Sequence, residues 1–226
     1  VLTLTDCFEY DEQTYNYYGS YSFTGTKIEQ AVVTAILNVT TDDKVVVDMI
    51  KGNNEQDYSS LKTLLENNAY QVNEVSLATG DFDSNAKIAI MYAPSVDLDE
   101  KIVAKLSTWL SNDGKYGRSL IYVPTADMGE MPNLDDFLKE WGMSIDRGYV
   151  FETDESTLVS ASSPYAFTVS YGDYYKDNLK NSKIPVVVSE SHAVNITDEN
   201  TAHALLKTSD KAGVLQIDAD KNWDYK

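Results

Sequence analysis

The chain has 226 residues, of which 42% are hydrophobic and 24% are charged, so it can bury a core of ordinary globular size. Its 36 acidic and 18 basic residues give a net charge of −18, which makes a surface that repels phosphate groups. The charge therefore argues against nucleic acid and anionic membrane surfaces as partners, and the single cysteine, Cys7, excludes an internal disulfide and a multi-cysteine metal site.

The first 26 residues predict a strand-rich leader with little core of its own. They are polar and rich in tyrosine, and YNYYGSYSFTG has the pattern of two short strands about Gly19. No run of about 18 apolar residues is present, so nothing in the sequence predicts a membrane span. Because the chain starts within an apparent strand and ends at NWDYK without a closing element, we expect a soluble piece of a longer protein.

Residues 27–226 predict an α/β domain with a core over residues 44–150 and a C-terminal extension over residues 151–226. It opens on a helix, because Ile28, Val32, Ala35, Ile36 and Val39 recur every three or four residues and share one face. Strands and helices then alternate. The predicted strands cover residues 44–50, 71–77, 87–94 and 118–124, and the helices cover YSSLKTLLENN, the segment after Asp97, and NLDDFLKEWG.

Helix boundaries and buried faces follow from the same stretches. In YSSLKTLLENN, Tyr58, Leu61, Leu64 and Leu65 are predicted to point inward. The next helix is predicted to start at a cap formed by Asp97 with Glu100, and its apolar stripe holds Ile102, Leu106, Trp109 and Leu110. The last of the three is predicted to be capped by Asn133 and closed by Gly142.

Alternation of this kind predicts right-handed crossovers and a mostly parallel sheet covered on both faces, which is a doubly wound α/β fold. The tail predicts further strands in GYVFE, YAFTVSY, IPVVVS and GVLQI, with one helix near ENTAHALLK. These strands are expected to extend the same sheet or to form a small flanking lobe.

Ligands of such a sheet bind at the carboxyl ends of its strands, where the loops 52–57, 94–99 and 124–133 are expected. The first loop, GNNEQ, lacks GxGxxG, GK[ST] and GxSxG, so it does not predict a phosphate cradle or a nucleophile elbow. Glu55 is interpreted as a charge that complements the start of the following helix. If the domain binds a small polar molecule, the candidate ligand-binding residues are Asn53, Asn54, Glu55 and Ser95.

The sequence offers no complete catalytic set, so we expect no enzyme activity and no cofactor. His192 follows Ser189, Glu190 and Ser191, but neighbours at one strand end point alternately to opposite faces and do not form a triad. His203 is predicted to be a partly buried helix residue.

The C-terminal segment IDADKNWDYK places Asp218, Asp220, Asn222 and Asp224 at alternate positions, as in the first half of a calcium loop. Trp223 stands where that loop needs glycine, and no glutamate follows at the twelfth position. A solvated linker is therefore favoured over a metal site.

The 16 tyrosines allow two interpretations. Tyr15, Tyr17, Tyr18 and Tyr21, with Tyr171, Tyr174 and Tyr175, could stack on a carbohydrate, or they could form a half-buried edge or an interface. Contact with a further domain or a partner chain is favoured.

Several stretches together resemble the auxiliary domain of GldG-type ABC transport systems. They are KIEQAVVTAIL, KVVVDMIKGNNE, YSSLKTLLENNAYQVNEVSL, AKIAIMYAP with DLDEKIVAKLSTWLSNDG, NLDDFLKEWGMSI and ALLKTSDKAG, in matching order from about Lys27 to Lys211. The family usually shows Gly-His-Gly-Glu after the first strand. Here Gly52 and Glu55 match, Asn53 and Asn54 intervene, and the histidine is missing.

The resemblance implies a flavodoxin-like or class I glutamine-amidotransferase-like fold. It also implies a bacterial protein anchored in the cell membrane, with this soluble domain on the extracytoplasmic side beside an ABC permease and ATPase subunit. The expected role is non-catalytic binding or scaffolding. A hydrolase or amidotransferase-like enzyme on the same fold and a carbohydrate-binding module stay open as alternatives.

Overall fold

The computed structural model describes residues 2–41, 43–124, 128–160, 162–177, 179–181 and 183–216. The helices are α1 Leu4–Cys7, α2 Glu12–Tyr18, α3 Ile28–Thr40, α4 Ser59–Asn67, α5 Glu100–Ser111, α6 Pro132–Glu140 and α7 Asp173–Lys176. The strands are β1 Phe8–Tyr10, β2 Phe23–Thr26, β3 Val46–Ile50, β4 Gln71–Val75, β5 Ala86–Tyr92, β6 Ser119–Val123, β7 Met143–Ile145, β8 Gly148–Phe151, β9 Leu158–Ser160, β10 Ser163–Tyr171, β11 Val186–Ser189, β12 Val194–Ile196, β13 Leu206–Lys207 and β14 Gly213–Gln216.

The chain divides into two compact units. The first comprises Val1–Gly52, Asp57–Met91 and Thr108–Ile121, and the second comprises Asn53–Gln56, Tyr92–Ser107 and Tyr122–Lys226. The domain boundaries predicted from the sequence, after residues 26 and 150, stay a prediction.

A four-stranded sheet in the order β4-β3-β5-β6 contains the four strands predicted between residues 44 and 124. Strand β3 pairs in parallel with both β4 and β5, and all five of its residues are buried. Residues Val46–Ile50 of the predicted strand 44–50 therefore form a strand buried on both faces, as the lack of alternation predicts, whereas Val45 is 43% exposed and lies outside it. The stripe of α5 is confirmed as well, since Ile102, Leu106, Trp109 and Leu110 are all buried.

The predicted doubly wound, flavodoxin-like fold is wrong. Beyond the parallel sheet, the described strands form antiparallel sheets: β12 pairs with β7, β14 pairs with β8, and β10 pairs with β9, β11 and β13. A parallel crossover needs a dozen or more residues and usually a helix, whereas antiparallel strands can be joined by short turns. After α6 the only described helix is the four-residue α7, so the tail strands do not extend the parallel sheet.

The leader also differs from its prediction. Its two strands, β1 and β2, pair in antiparallel fashion, but helix α2 lies between them and carries Tyr15, Tyr17 and Tyr18. Asp11 caps this helix by accepting bonds from the amides of Gln13 and Thr14. Gly19, with φ +68°, ends the helix in the left-handed conformation rather than turning a hairpin.

Helix α3 forms where the spacing predicts it, but its apolar face is exposed. Ala31 is buried and Thr34 and Ala35 are half-buried, so the side of small residues packs inward. The larger aliphatic residues of α3 point outward; they are Ile28, Val32, Val33, Ile36, Leu37 and Val39. In α4 the inward prediction for Leu64 is likewise wrong, because that side chain is 54% exposed.

A buried carboxylate holds the loop that leads into β5. Asp48, in the middle of β3, is 0% exposed and accepts bonds from the backbone amide of Asp83 at 2.8 Å and from the Asn73 side-chain amide at 3.2 Å. Buried charges persist only where hydrogen bonds replace water. Asp48 therefore ties the segment after β4 to the middle of the sheet.

Trp109 anchors the end of α5 within the first unit. Its buried ring stacks on Phe82 with centroids 4.5 Å apart, and the guanidinium carbon of Arg118 lies 5.3 Å from the ring centre. Arg118 also donates to the Trp109 carbonyl at 2.9 Å. Arg118 therefore contacts Trp109 through a cation–π interaction and a hydrogen bond, and these two contacts hold the residue before β6 against the end of α5.

We expect Asp48→Ala to lower the free energy of unfolding by about 2–4 kcal/mol, because the substitution leaves the Asp83 amide unpaired in a buried place. Urea denaturation followed by circular dichroism measures this. The matched control, Glu66→Ala on the exposed side of α4, should change stability by less than about 0.5 kcal/mol. Equal stability of the two variants would contradict the role given to Asp48.

Candidate functional site

The loop after β3 depends on two residues with positive φ. Gly52 has φ +116°, a conformation that L-residues with a side chain rarely adopt, and Asn54 has φ +54°. Asparagine tolerates the left-handed region better than most residues because its amide can bond locally. The sequence GNNE is thus suited to a tight turn at the end of the strand.

Asn53 is a buried polar residue that joins this turn to the loop after β5. It is 5% exposed, and its Nδ2 donates to the carbonyl of Asp97 at 3.0 Å and to that of Val96 at 3.4 Å. Its own carbonyl accepts bonds from the amides of Ser95 and Val96, each at 3.1 Å. The Asn53 amide is therefore engaged inside the protein rather than presented to a ligand.

Glu55 serves the same turn. Its Oε1 accepts a hydrogen bond from the Asn53 backbone amide at 2.9 Å. Glu55 thus bonds within the turn and lies four residues before Ser59, where α4 begins. The acid that bonds the start of α4 is Asp57, whose Oδ1 accepts from the Ser59 amide at 3.1 Å. The carboxylate shown to bond the start of α4 is that of Asp57, and the interpretation of Glu55 as the charge at the helix start stays a prediction.

Asn54 and Ser95 form the outward part of this candidate site. The Asn54 amide bonds to the Ser95 hydroxyl, which in turn donates to the Asn54 carbonyl at 2.9 Å. Asn54 is exposed and Ser95 is half-exposed. Of the four predicted ligand-binding residues, Asn53 is buried, Glu55 and Ser95 are half-buried, and Asn54 is exposed.

Asp97 caps α6, not α5. Its Oδ2 accepts from the Asn133 amide at 2.9 Å and its Oδ1 from the Leu134 amide at 3.1 Å, which are free amides in the first turn of α6. Helix α5 is capped instead by Asp99, which accepts from the Lys101 amide at 2.8 Å. The predicted Asn133 cap is also wrong, because Asn133 lies inside α6 and its Nδ2 donates to the Leu98 carbonyl at 2.8 Å.

A second polar cluster, which the sequence analysis did not predict, contains Tyr122 of β6, Asp135 of α6 and Arg147. Arg147 donates from Nη2 to Asp135 Oδ2 at 2.6 Å, and both side chains are about one-third exposed or less. The hydroxyl of Tyr122 and the Nε of Arg147 are buried and have no hydrogen-bond partner in the part of the chain that the structure describes. Burial, and secondarily the charge of Asp135, raises the pKa of Tyr122 to about 12. The only sequence signal was a tyrosine inside the apolar run Leu120–Val123.

The described contacts of His192 and His203 are with residues outside the candidate site. Nδ1 of His192 lies 2.7 Å from the Gly148 carbonyl, and its ring stacks on Tyr149 with centroids 5.9 Å apart. His203 stacks on Tyr174 at 4.3 Å and is exposed. The helix predicted near ENTAHALLK is wrong, because residues 202–205 are irregular and Leu206–Lys207 form β13.

The predicted metal ligands Asp218, Asp220, Asn222 and Asp224 lie outside the described residues. Within residues 2–216, as far as the structure describes them, no group of three or more histidine, cysteine or acidic side chains is arranged to hold a metal ion. Over the same part of the chain, no helix combines the length and the apolar character that crossing a bilayer requires.

The tyrosines of the leader pack on one another. Tyr15 stacks on Tyr21 with ring centroids 4.6 Å apart, Tyr10 meets both rings edge-on, and Tyr21 lies parallel to Phe23 at 5.9 Å. A hydrogen bond with Tyr15 raises the pKa of the Tyr21 hydroxyl. These rings form an aromatic cluster at the surface in which they partly cover one another, and the most exposed tyrosines of the leader are Tyr17 and Tyr18.

No protein-family model and no curated protein sequence matches the chain. Among solved structures, it is similar to one described as the mmIFT52 N-terminal domain, with a TM-score of 0.55 and 13% sequence identity over 74% of this chain and 74% of that chain. At this identity the likeness concerns the fold alone.

We expect Asp97→Ala to destabilise the protein by about 1–3 kcal/mol, because it removes the cap of α6 and leaves two backbone amides unpaired. Thermal and urea denaturation measure this change. Asp136→Ala on the same helix is the control, since its carboxylate pairs only with the exposed Lys139 in the i,i+3 geometry and should matter by about 0.5 kcal/mol or less. A cap role for Asp97 is refuted if the two substitutions cost the same.

We expect Tyr122→Phe to leave the free energy of unfolding unchanged or to raise it by up to about 1 kcal/mol, because the hydroxyl it removes is buried without a partner. The pKa of Tyr122 is raised, so its contribution is fully present below the ordinary value of 10.0 and is lost as pH rises toward about 12. Denaturation at neutral and at alkaline pH should show a larger loss in the wild type than in the variant, since the raised pKa of Tyr21 is common to both. A loss of more than about 1 kcal/mol at neutral pH, compared with the exposed control Tyr116→Phe, would show that the hydroxyl has a partner.

Proposed function

We propose that this chain is a non-catalytic binding or scaffold domain of a GldG-like ABC-type transport assembly. In this proposal the full-length protein is anchored in a bacterial cell membrane, the domain lies on the extracytoplasmic side, and an ABC permease and ATPase are its partners. The order of the stretches between Lys27 and Lys211 supports this assignment.

The non-catalytic part of the proposal is supported by one observation: the polar side chains of the candidate site form hydrogen bonds to backbone groups of the protein. Asn53 and Asp97 bond to backbone groups of other segments, and Glu55 bonds to the backbone of its own turn. Helix α6 depends on the cap that Asp97 provides. A catalytic carboxylate or amide has to keep an atom free for the reacting molecule. Residues that hold loops together in this way favour a rigid surface for recognition over a reaction centre.

The charge of −18 agrees with a domain that works in water and away from anionic lipid headgroups. If recognition includes a small polar molecule, Asn54 and Ser95 are the residues that would contact it, since they form the exposed part of the site. A hydroxyl and an amide can offer both donors and acceptors to such a ligand.

Affinity capture of the full-length protein from its native membrane in mild detergent tests the proposal. We expect the ATPase and the permease of one ABC system to be enriched together, and we expect both to be lost when residues 27–216 are deleted from the bait. Absence of these subunits from the wild-type capture would overturn the transport role. Equal recovery with the deleted bait would overturn the assignment of that role to this domain.

A further inference from the structure

A hollow of about 490 Å³ lies beside α3 within the first unit. We call it the α3 hollow; its lining includes Asp6 of α1, the small and polar side of α3 with its N-cap Lys27, and Thr63 and Asn67 of α4. Its volume falls within the range of small-molecule sites, about 300–1,000 Å³. The space exists because the side of α3 that faces α1 and α4 carries short side chains such as Ala35.

The wall of the α3 hollow carries polar groups that the protein itself does not use. The hydroxyl of Thr34 donates to the backbone carbonyl of Asn67 and so joins α3 to α4. Within the described part of the chain, the side-chain amides of Gln30 and Asn67 form no hydrogen bond. Each amide can therefore offer both donors and an acceptor to a molecule in the hollow.

Two opposite charges line the same hollow. Hydrogen bonds from Thr3, and to a smaller extent the charge of Lys27, lower the pKa of the Asp6 carboxyl, so this group is ionised at neutral pH. Both bonds from Thr3 go to Oδ2 of Asp6. Among the described residues, neither Asp6 nor Lys27 forms an ion pair, so each can still bind a group of opposite charge.

The start of α3 adds to the positive charge of Lys27. Lys27 is the N-cap of this helix, and its side chain makes no capping bond. The first backbone amides of a helix lack partners within the helix, and its dipole places partial positive charge there. This end of the α3 hollow is therefore suited to a carboxylate, whereas Asp6 is suited to an ammonium group.

We propose that the α3 hollow binds a free α-amino acid as a zwitterion, with an uncharged polar side chain. The ammonium group pairs with Asp6, the carboxylate pairs with Lys27, and the ligand's side chain bonds to Gln30 and Asn67. A neutral sugar would leave both charges of the hollow without a partner, and an ion of one sign would leave one of them. The site does not depend on the proposed transport role, so either can fail without the other.

Isothermal titration calorimetry of the 226-residue chain with L-glutamine tests the inference. We expect saturable binding with a Kd below about 1 mM. N-acetyl-L-glutamine lacks the ammonium charge and L-glutamine α-amide lacks the carboxylate, so each should bind at least about tenfold more weakly. Absence of saturable L-glutamine binding in this range, or equal binding of glucose or of either derivative, overturns the proposal.

Substitutions that remove one charge assign each contact. We expect Lys27→Gln and Asp6→Asn each to weaken L-glutamine binding by at least about tenfold. The α-amide should then bind Lys27→Gln as well as L-glutamine does, and N-acetyl-L-glutamine should do the same with Asp6→Asn. A purely structural effect would weaken all three ligands alike, so unchanged discrimination among them in both variants contradicts the assignment.

The matched controls are Lys115→Gln and Asp113→Asn, the same exchanges at exposed positions of the first unit that do not line the hollow. They should bind L-glutamine as the wild type does. Ala35→Leu should abolish binding by filling the hollow, while circular dichroism shows that α3 persists, since leucine is a good helix former. Equal loss in the controls, or binding that survives in folded Ala35→Leu, places the ligand elsewhere and refutes the α3 hollow as its site.

Discussion

Burial of β3 along its whole length is the constraint on which the first unit depends. Each buried peptide group needs a hydrogen-bond partner, so a strand with all five residues buried must be paired on both edges. The pairing with β4 and β5 meets this need. It also fixes the place of Asp48, whose buried carboxylate can persist only because the next loop supplies an amide.

The second unit follows a similar rule in its loops. Asn53 and Asp97 are short polar side chains that satisfy backbone groups which no strand or helix would otherwise pair. Each joins segments far apart in the sequence, so the turn after β3 and the start of α6 hold one shape. The residues predicted to contact a ligand thus have a structural role first. Asn53 and Glu55 bond to backbone groups, and Asn54 and Ser95 bond to each other.

Local sequence patterns predicted the structure correctly, whereas features that depend on distant partners were not predictable from them. The run before Ile50 and the stripe of α5 are local patterns with one structural outcome, and both were found. Asp97 and Asp99 are equally suitable caps in sequence, and only the position of α6 decides between them. The strands of the tail were mostly found, but their antiparallel partners depend on turns that periodicity does not report.

Helix α3 shows another limit. Spacing identifies an apolar face, but it does not say whether that face meets the chain's own core, and here the small residues Ala31 and Ala35 take the inward side. At the candidate site, the glycine and asparagines predicted a turn, yet the bonds of Asn53 could not be inferred because its acceptors lie more than 40 residues away. The cluster of Tyr122, Asp135 and Arg147 had no recognisable spacing at all.

The packing of Trp109 has a spectroscopic consequence. The chain contains three tryptophans, and the other described one, Trp141, belongs to the second unit and is partly exposed. A buried indole emits at shorter wavelength than a hydrated one, so Trp109 contributes the blue side of the native emission. Loss of that blue component would therefore report the opening of the first unit by intrinsic fluorescence, without an added label.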